Sequence, residues 1–94
     1  MYFISTIDKK DDCVRTWGYF EDRETAVQAL NENWGDMHEC TYLFAVIEFL
    51  SSGLYPKPQE RTWFEWDYNK KGFYEIDPPE YAKVWPPDYS VSIG

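Results

Sequence analysis

The chain has 94 residues, which is enough for one domain with a single small core. Hydrophobic residues make up 44% of it and aromatic residues alone 20%, and this content argues against an intrinsically disordered chain. The formal net charge of −8 repels nucleic acids and anionic lipid surfaces, so direct binding to either is not expected. The excess of carboxylates favours solubility, and it would also suit docking on a basic host surface.

The first two elements are predicted to form a β-hairpin. Residues 2–8 are apolar and rich in β-formers, "KKDD" is a polar turn, and residues 13–20 continue as a second strand. A glycine at position 18, in mid-strand, indicates a bulge or the close approach of another chain segment. Strict alternation would divide the second strand into two faces, one with Val14, Thr16, Gly18 and Phe20 and the other with Arg15, Trp17 and Tyr19.

A helix is predicted from about residue 23 to residue 33. Asp22 is placed to cap it, because its carboxylate can accept a backbone N–H of the first turn. Gly35 follows as the expected left-handed cap at the other end. The apolar residues at helical spacing form one stripe, made of Ala26, Val27, Leu30 and Trp34.

Three more strands are predicted after the helix. Residues 41–50 are apolar on both faces and predict a central strand covered by the helix on at least one side. Residues 51–60 predict a loop, residues 61–68 a strand, "NKKG" a turn and residues 73–76 the last strand of a second hairpin. Alternation would place Trp63, Glu65 and Asp67 on one face of the fourth strand and Phe64, Trp66 and Tyr68 on the other.

The element order ββαβββ predicts an α+β domain over residues 1–78, with one helix packed on an antiparallel or mixed sheet. Residues 79–94 are a proline-rich tail in which Pro79 can open one short helical turn. The tail carries Tyr81, Val84, Trp85 and Tyr89, which are too apolar to hang free. We expect it to lie across the domain or against a partner.

The two cysteines, Cys13 and Cys40, are too few for a disulfide framework. No signal peptide is expected, and the longest apolar run, residues 43–47, is far too short to span a bilayer. We therefore expect a cytoplasmic protein with both thiols reduced, in the host cytoplasm if a phage encodes it.

The only histidine lies in "NENWGDMHEC". Asp36, His38 and Cys40 alternate along the chain, which raises the possibility of a metal site or of a thiol–imidazole pair. The segment has no C-x-x-C and no H-x-x-x-H, and residues two apart rarely reach catalytic geometry. We expect instead that it leads into the central strand, with its polar groups bonded to the backbone or paired with Arg15 or a lysine. No phosphate-binding glycine loop, G-x-S-x-G or zinc-protease helix occurs, so no catalytic residue, metal or cofactor is predicted.

Glu48 is unusual because it stands inside the apolar central strand, where an unpaired carboxylate is expensive. It needs a basic partner, a hydrogen-bond donor or water, and we predict that Arg15 on the second strand is the partner. Glu48 is then either a paired buried charge with a structural role or the carboxylate of a pocket.

Aromatic residues in strands usually belong to the core, but one small core is unable to hide five Trp and eight Tyr. Exposed aromatic clusters mark binding surfaces. With Arg15 nearby, such a cluster would stack a flat, partly anionic ligand such as a nucleotide. The predicted ligand-binding residues are Arg15, Trp17, Tyr19, Tyr42, Glu48, Trp63 and Trp66.

Three stretches carry a resemblance to known proteins: "GYF" at 18–20, "N-x-x-D-x-x-E" at 33–39 and "AVIE-x-x-x-x-G-L-Y-P" at 45–56. Over residues 1 to about 80 the chain resembles a family of small hypothetical proteins of Firmicutes bacteria and their phages. That family has no assigned activity, so the resemblance implies no catalytic residue. Trp17 stands where the resemblance implies a small aliphatic residue, and the proline-rich end has no counterpart in it.

Phages use small, acidic, non-enzymatic domains against bacterial immunity, and this analogy sets the functional expectation. We expect a non-catalytic binding protein of a phage or mobile element that sequesters a small nucleotide-like signalling molecule. The alternative is an acidic inhibitor that binds a host defence protein directly. A homodimer is also expected, because so short a chain has too much surface to bury all its rings alone.

Overall fold

The computed structural model describes residues 1–8, 13–39, 42–50 and 58–79. The strands are β1 (Tyr2–Asp8), β2 (Cys13–Phe20), β3 (Phe44–Leu50), β4 (Pro58–Asp67) and β5 (Gly72–Ile76), with one α-helix, α1 (Arg23–Asn31), and a short 3-10 helix at Trp34–Asp36. All pairings are antiparallel, and the sheet order is β2-β1-β3-β4-β5. The predicted α+β class and the order ββαβββ are confirmed.

The starts of β3 and β4 differ from the prediction by three residues each, while the end of β4 and the start of β5 each differ by one. β3 begins at Phe44 rather than at residue 41, which lies outside the described ranges. β4 begins at Pro58, inside the segment predicted to be a loop, because Pro58 pairs with Leu50 at the end of β3. A proline is tolerated at this position, since the first residue of a strand has no need to donate to the ladder.

The start of α1 follows the prediction and its end does not. The Asp22 carboxylate accepts the backbone N–H of Thr25 at 2.9 Å, which confirms the predicted cap. The helix ends at Asn31, two residues early, and the first left-handed residue after it is Asn33, with φ 52°; Gly35, with φ 65°, is also left-handed but lies inside the 3-10 helix. Trp34 lies beyond this end and is exposed, so it is not part of the buried face of the helix. That face includes Ala29, which was not predicted.

The main core fills the space between α1 and the sheet. Its buried residues are Ile4, Ala26, Ala29, Leu30, Met37, Tyr42, Ala45, Ile47, Phe64 and Phe73. A second buried cluster, made of Ile7, Phe44, Val46 and Trp63, lies on the other face of the sheet, because these residues alternate with those of the main core. Both faces of the central strand are therefore apolar and buried, as predicted.

The β1–β2 hairpin contains the predicted bulge. Ile4 pairs with Gly18 and Ser5 with Thr16, so the backbone of Trp17 is an extra residue that stands opposite no residue of β1. The extra residue breaks the alternation of side chains along β2. The predicted division of this strand into faces is therefore wrong: Trp17 and Phe20 pack against the same core.

The β4–β5 turn holds β5 close to the end of the helix. The Asp67 carboxylate accepts the backbone N–H groups of Asn69 and Lys70, and Lys71 adopts a left-handed conformation with φ 57°. Gly72, predicted as part of the turn, opens β5 instead. A Cβ atom at Gly72 would lie 2.0 Å from the backbone oxygen of Asn31, so this contact requires glycine.

Several predictions fall outside the described residues: the turn at 9–12, the loop over residues 51–57, Cys40, and the tail beyond Pro79 with the question of what it packs on. Among the described residues, no helix is long and apolar enough to cross a membrane.

Candidate functional site

A cleft of about 340 Å³ lies between the end of β2 and the segment that follows α1. We call it the β2 cleft. It combines four aromatic side chains with small and aliphatic residues. Its lining consists of Ile4, Trp17, Gly18, Tyr19, Phe20, Ala29, Trp34, Gly35 and Met37.

Two glycines keep the cleft open. A Cβ atom added at Gly18 or at Gly35 would meet nothing within 4 Å, so there is free space beside both. Their φ angles, 154° and 65°, also belong to the region that disfavours other residues. The bulge and the left-handed turn therefore create the cleft through backbone conformation.

The two indole rings of the cleft are held by hydrogen bonds. Trp17 Nε1 donates to Thr6 Oγ1 at 2.8 Å, and Trp34 Nε1 donates to Glu32 Oε1 at 3.0 Å. The rings of Phe20 and Trp34 meet edge to face with centroids 6.0 Å apart. Trp34 and Tyr19 remain 40% and 56% exposed. The cleft thus offers exposed, oriented aromatic surface whose indole N–H groups are already satisfied.

Arg15 lies beside this aromatic group. Its guanidinium carbon is 3.9 Å from the centroid of the Trp17 ring, a cation–π arrangement. Its Nη1 atom also donates to Glu39 Oε1 at 2.7 Å. Pairing of the "NENWGDMHEC" segment with Arg15, one of the options predicted from the sequence, is therefore confirmed.

The predicted pairing of Glu48 with Arg15 is wrong. The Glu48 side chain is fully buried and accepts a hydrogen bond from Arg61 Nε at 2.8 Å. Arg61 stands directly opposite Glu48 on the neighbouring strand β4, whereas β1 separates β3 from the strand that carries Arg15. The expectation of a paired buried charge is confirmed, although Glu48 Oε1 has no hydrogen-bond partner.

His38 is buried and stacked on Trp66, with ring centroids 3.8 Å apart and planes 3° from parallel. Its Nδ1 atom lies 2.6 Å from the backbone oxygen of Tyr42, so Nδ1 carries the proton and donates it. The prediction that the imidazole bonds to the backbone is confirmed. A second cleft of about 400 Å³, which we call the His38 cleft, is lined by Asn33, Asp36, His38, Trp66, Tyr68 and Lys71.

The seven predicted ligand-binding residues fall in different places. Trp17 and Tyr19 line the β2 cleft, and Arg15 packs on the Trp17 ring without being a lining residue itself. Trp66 lines the His38 cleft. The other three are buried: Tyr42 in the main core, Trp63 in the second cluster, and Glu48 beside Arg61.

Sequence reasoning missed the other half of the β2 cleft, above all Phe20 and Trp34. A signal was present, because Gly18 and Gly35 each adjoin an aromatic residue. A glycine in a strand suggests a bulge or the close approach of another group, and Gly18 lies between Trp17 and Tyr19. Both glycines were assigned only structural roles.

Among the residues that the structure describes, no three His, Cys, Asp or Glu side chains lie close enough together to hold a metal ion. No protein-family model, no curated protein and no solved structure matches the chain. The resemblance to small proteins of Firmicutes and their phages stays a prediction.

Proposed function

We propose that the protein is a non-catalytic binding protein that captures a small molecule by stacking its flat ring in the β2 cleft. One observation carries this proposal: the rings of Trp17, Tyr19, Phe20 and Trp34 line a single open cleft. Ring stacking on aromatic side chains contributes about 1–3 kcal/mol per base in nucleic-acid complexes.

A nucleotide-like signalling molecule of bacterial immunity is the ligand class that we propose, with sequestration by a phage or mobile-element protein as its purpose. The flat base suits the cleft, and Arg15 packs on the Trp17 ring that lines it. The exposed Arg15–Glu39 pair is worth only about 0–1 kcal/mol, so a ligand group can compete for the guanidinium at low cost. The net charge of −8 opposes phosphates, so stacking would supply most of the affinity.

Incubation with cyclic nucleotides and ADP-ribose derivatives, followed by heating to release bound material, tests the proposal. A compound that is recovered intact supports sequestration, an altered compound means an enzyme, and no uptake of any compound contradicts the proposal. Trp34→Ala should abolish uptake. Tyr68→Ala is the matched control, because it removes an aromatic ring that is 67% exposed and lies outside the β2 cleft.

Direct inhibition of a host defence protein is the second candidate function. It is favoured by the exposed carboxylates of Glu65, Glu75 and Asp77, which surround one shallow depression next to β4 and β5. In this case no small ligand binds, a pull-down retains one host protein, and the complex weakens steeply as salt is added. Retention that does not depend on salt would contradict an acidic interface.

A homodimer acting in the cytoplasm is the form of the protein that we propose for either function. Pairing would shield the edge strands β2 and β5 and more of the exposed aromatic surface. Light scattering at micromolar concentration measures this directly. A mass near 11.3 kDa, that of one chain, would contradict the dimer.

A further inference from the structure

We propose that the ring taken by the β2 cleft is positively charged, as an N-alkylated heteroaromatic ring is. This inference rests on the proposed function, and it narrows the ligand class. In a nucleotide-like molecule the charged ring would take the place of the base. Three observations carry it: the aromatic lining, the charges next to the lining residues, and the cation that already lies on Trp17.

The lining provides attraction for a cation. The faces of Trp, Tyr and Phe rings carry negative electrostatic potential, which is why groups of such rings bind quaternary ammonium compounds. The β2 cleft has four such rings around one space. A cationic ring gains this attraction in addition to stacking, whereas a neutral ring of the same shape gains stacking alone.

The charges next to the lining residues are mostly negative. Glu21 and Asp36 are exposed and adjoin Phe20 and Gly35 in the sequence, and Asp36 also lines the His38 cleft. Glu32 accepts the hydrogen bond of Trp34. Glu32 therefore places one negative charge beside a lining ring, and the net charge of −8 adds a negative field around the whole protein.

Glu32 keeps its charge. Hydrogen bonds from the Trp34 indole and, second, from the Gln28 amide lower the pKa of this carboxyl group from its ordinary value of 4.5. It is therefore ionised at neutral pH and in mildly acidic solution. Its position is also fixed, because the same two hydrogen bonds hold both carboxylate oxygens.

Arg15 shows that a cation is accommodated on this aromatic surface. Its guanidinium lies 3.9 Å from the centre of the Trp17 ring, and Glu39 balances its charge at 2.7 Å. The same combination, an aromatic face beneath a cation with a carboxylate beside it, is what a cationic ligand would find next to Trp34 and Glu32.

Three compounds of equal shape separate charge from stacking: the cation 1-methylnicotinamide, its neutral isostere 3-methylbenzamide, and the anion 3-methylbenzoate. We expect the cation to bind about tenfold more tightly than the neutral compound in an NMR titration of the full chain. The anion should bind most weakly. Glu32→Gln, which keeps an acceptor for Trp34, should weaken the cation alone, while Glu24→Gln on the exposed first turn of α1 should change neither compound.

The outcomes separate the preference for a cationic ring from the proposed binding of a ring in the β2 cleft. Equal affinities of cation and neutral compound, or tighter binding of the anion, would overturn the charge preference and leave the proposed function standing. If none of the three compounds binds, or if Trp34→Ala leaves their binding unchanged, the β2 cleft is not a ring-binding site and both proposals fail.

Discussion

The centre of the sheet and its β2 edge each contain an ion pair of nearly equal length, and the two pairs differ in burial. Glu48 and Arg61, 2.8 Å apart, have side chains that are 0% and 17% exposed. Arg15 and Glu39, 2.7 Å apart, have side chains that are 52% and 39% exposed. Distance therefore says little about the role of a charge here. The buried Glu48–Arg61 pair has a structural role, whereas the exposed Arg15–Glu39 pair can exchange one of its partners for a ligand group.

The largest effect should come from removing one partner of the central pair. Arg61→Ala would leave a fully buried carboxylate without its cation, which typically costs about 3–5 kcal/mol of unfolding free energy. Arg15→Ala, the same change at the edge, should cost less than about 1 kcal/mol. Urea unfolding of both variants measures the difference. Equal losses would show that burial does not separate the two pairs.

Two glycines, one packed against the end of α1 and the other at the β2 edge, should also differ with their surroundings. Gly72→Ala would drive a methyl group into the backbone of Asn31, and overpacking of this kind costs about 1–3 kcal/mol or more. Gly18→Ala has free space for its methyl group and meets only the unfavourable φ of 154°. The urea midpoint of Gly72→Ala should therefore fall further. A larger loss in Gly18→Ala would contradict the description of the β2 edge as open.

Replacing Asp22, the exposed carboxylate that caps the start of α1, should have a smaller effect on stability. Hydrogen bonds from the Thr25 hydroxyl and then from its backbone N–H lower the pKa of Asp22 below its ordinary value of 3.8. A group whose pKa is lower in the folded protein stabilises it fully above the unfolded pKa and loses this contribution as pH falls through the folded pKa. Asp22→Ala should thus lower the melting temperature at pH 7, and the difference from the unmodified protein should shrink as the pH falls well below 3.8, the ordinary pKa of the group. A constant difference across this range would argue against an ionised cap.

The sequence was sufficient for most of the fold because local signals agreed with one another. β1 and β2 have the predicted bounds, since the polar sequence "KKDD" separates two runs of β-formers, and Asp22 caps α1 as predicted. The start of β4 at Pro58 was missed because prolines favour loops locally. Only the pairing with Leu50 reveals that the strand begins there.

The candidate site was only partly predictable because it depends on register and backbone twist. Arg15, Trp17 and Tyr19 lie close together on one strand and were identified. Phe20 was assigned to the face opposite Trp17, because strict alternation was assumed along the whole of β2. The bulge breaks this alternation, and the sequence does not indicate in which direction the side chains beyond it point. The partner of Glu48 was wrong for a different reason: the neighbours of β3 follow from the order of strands in the sheet, which a single sequence does not determine.

A two-dimensional ¹H–¹⁵N NMR titration with 1-methylnicotinamide shows whether the β2 cleft binds a flat ring. We predict dose-dependent shifts of the Gly18 and Gly35 amides and of the Trp34 indole N–H, which line the β2 cleft. The buried Trp63 indole and the Lys71 amide in the His38 cleft should not move. Shifts confined to the His38 cleft, or no shifts at millimolar ligand, would contradict the claim.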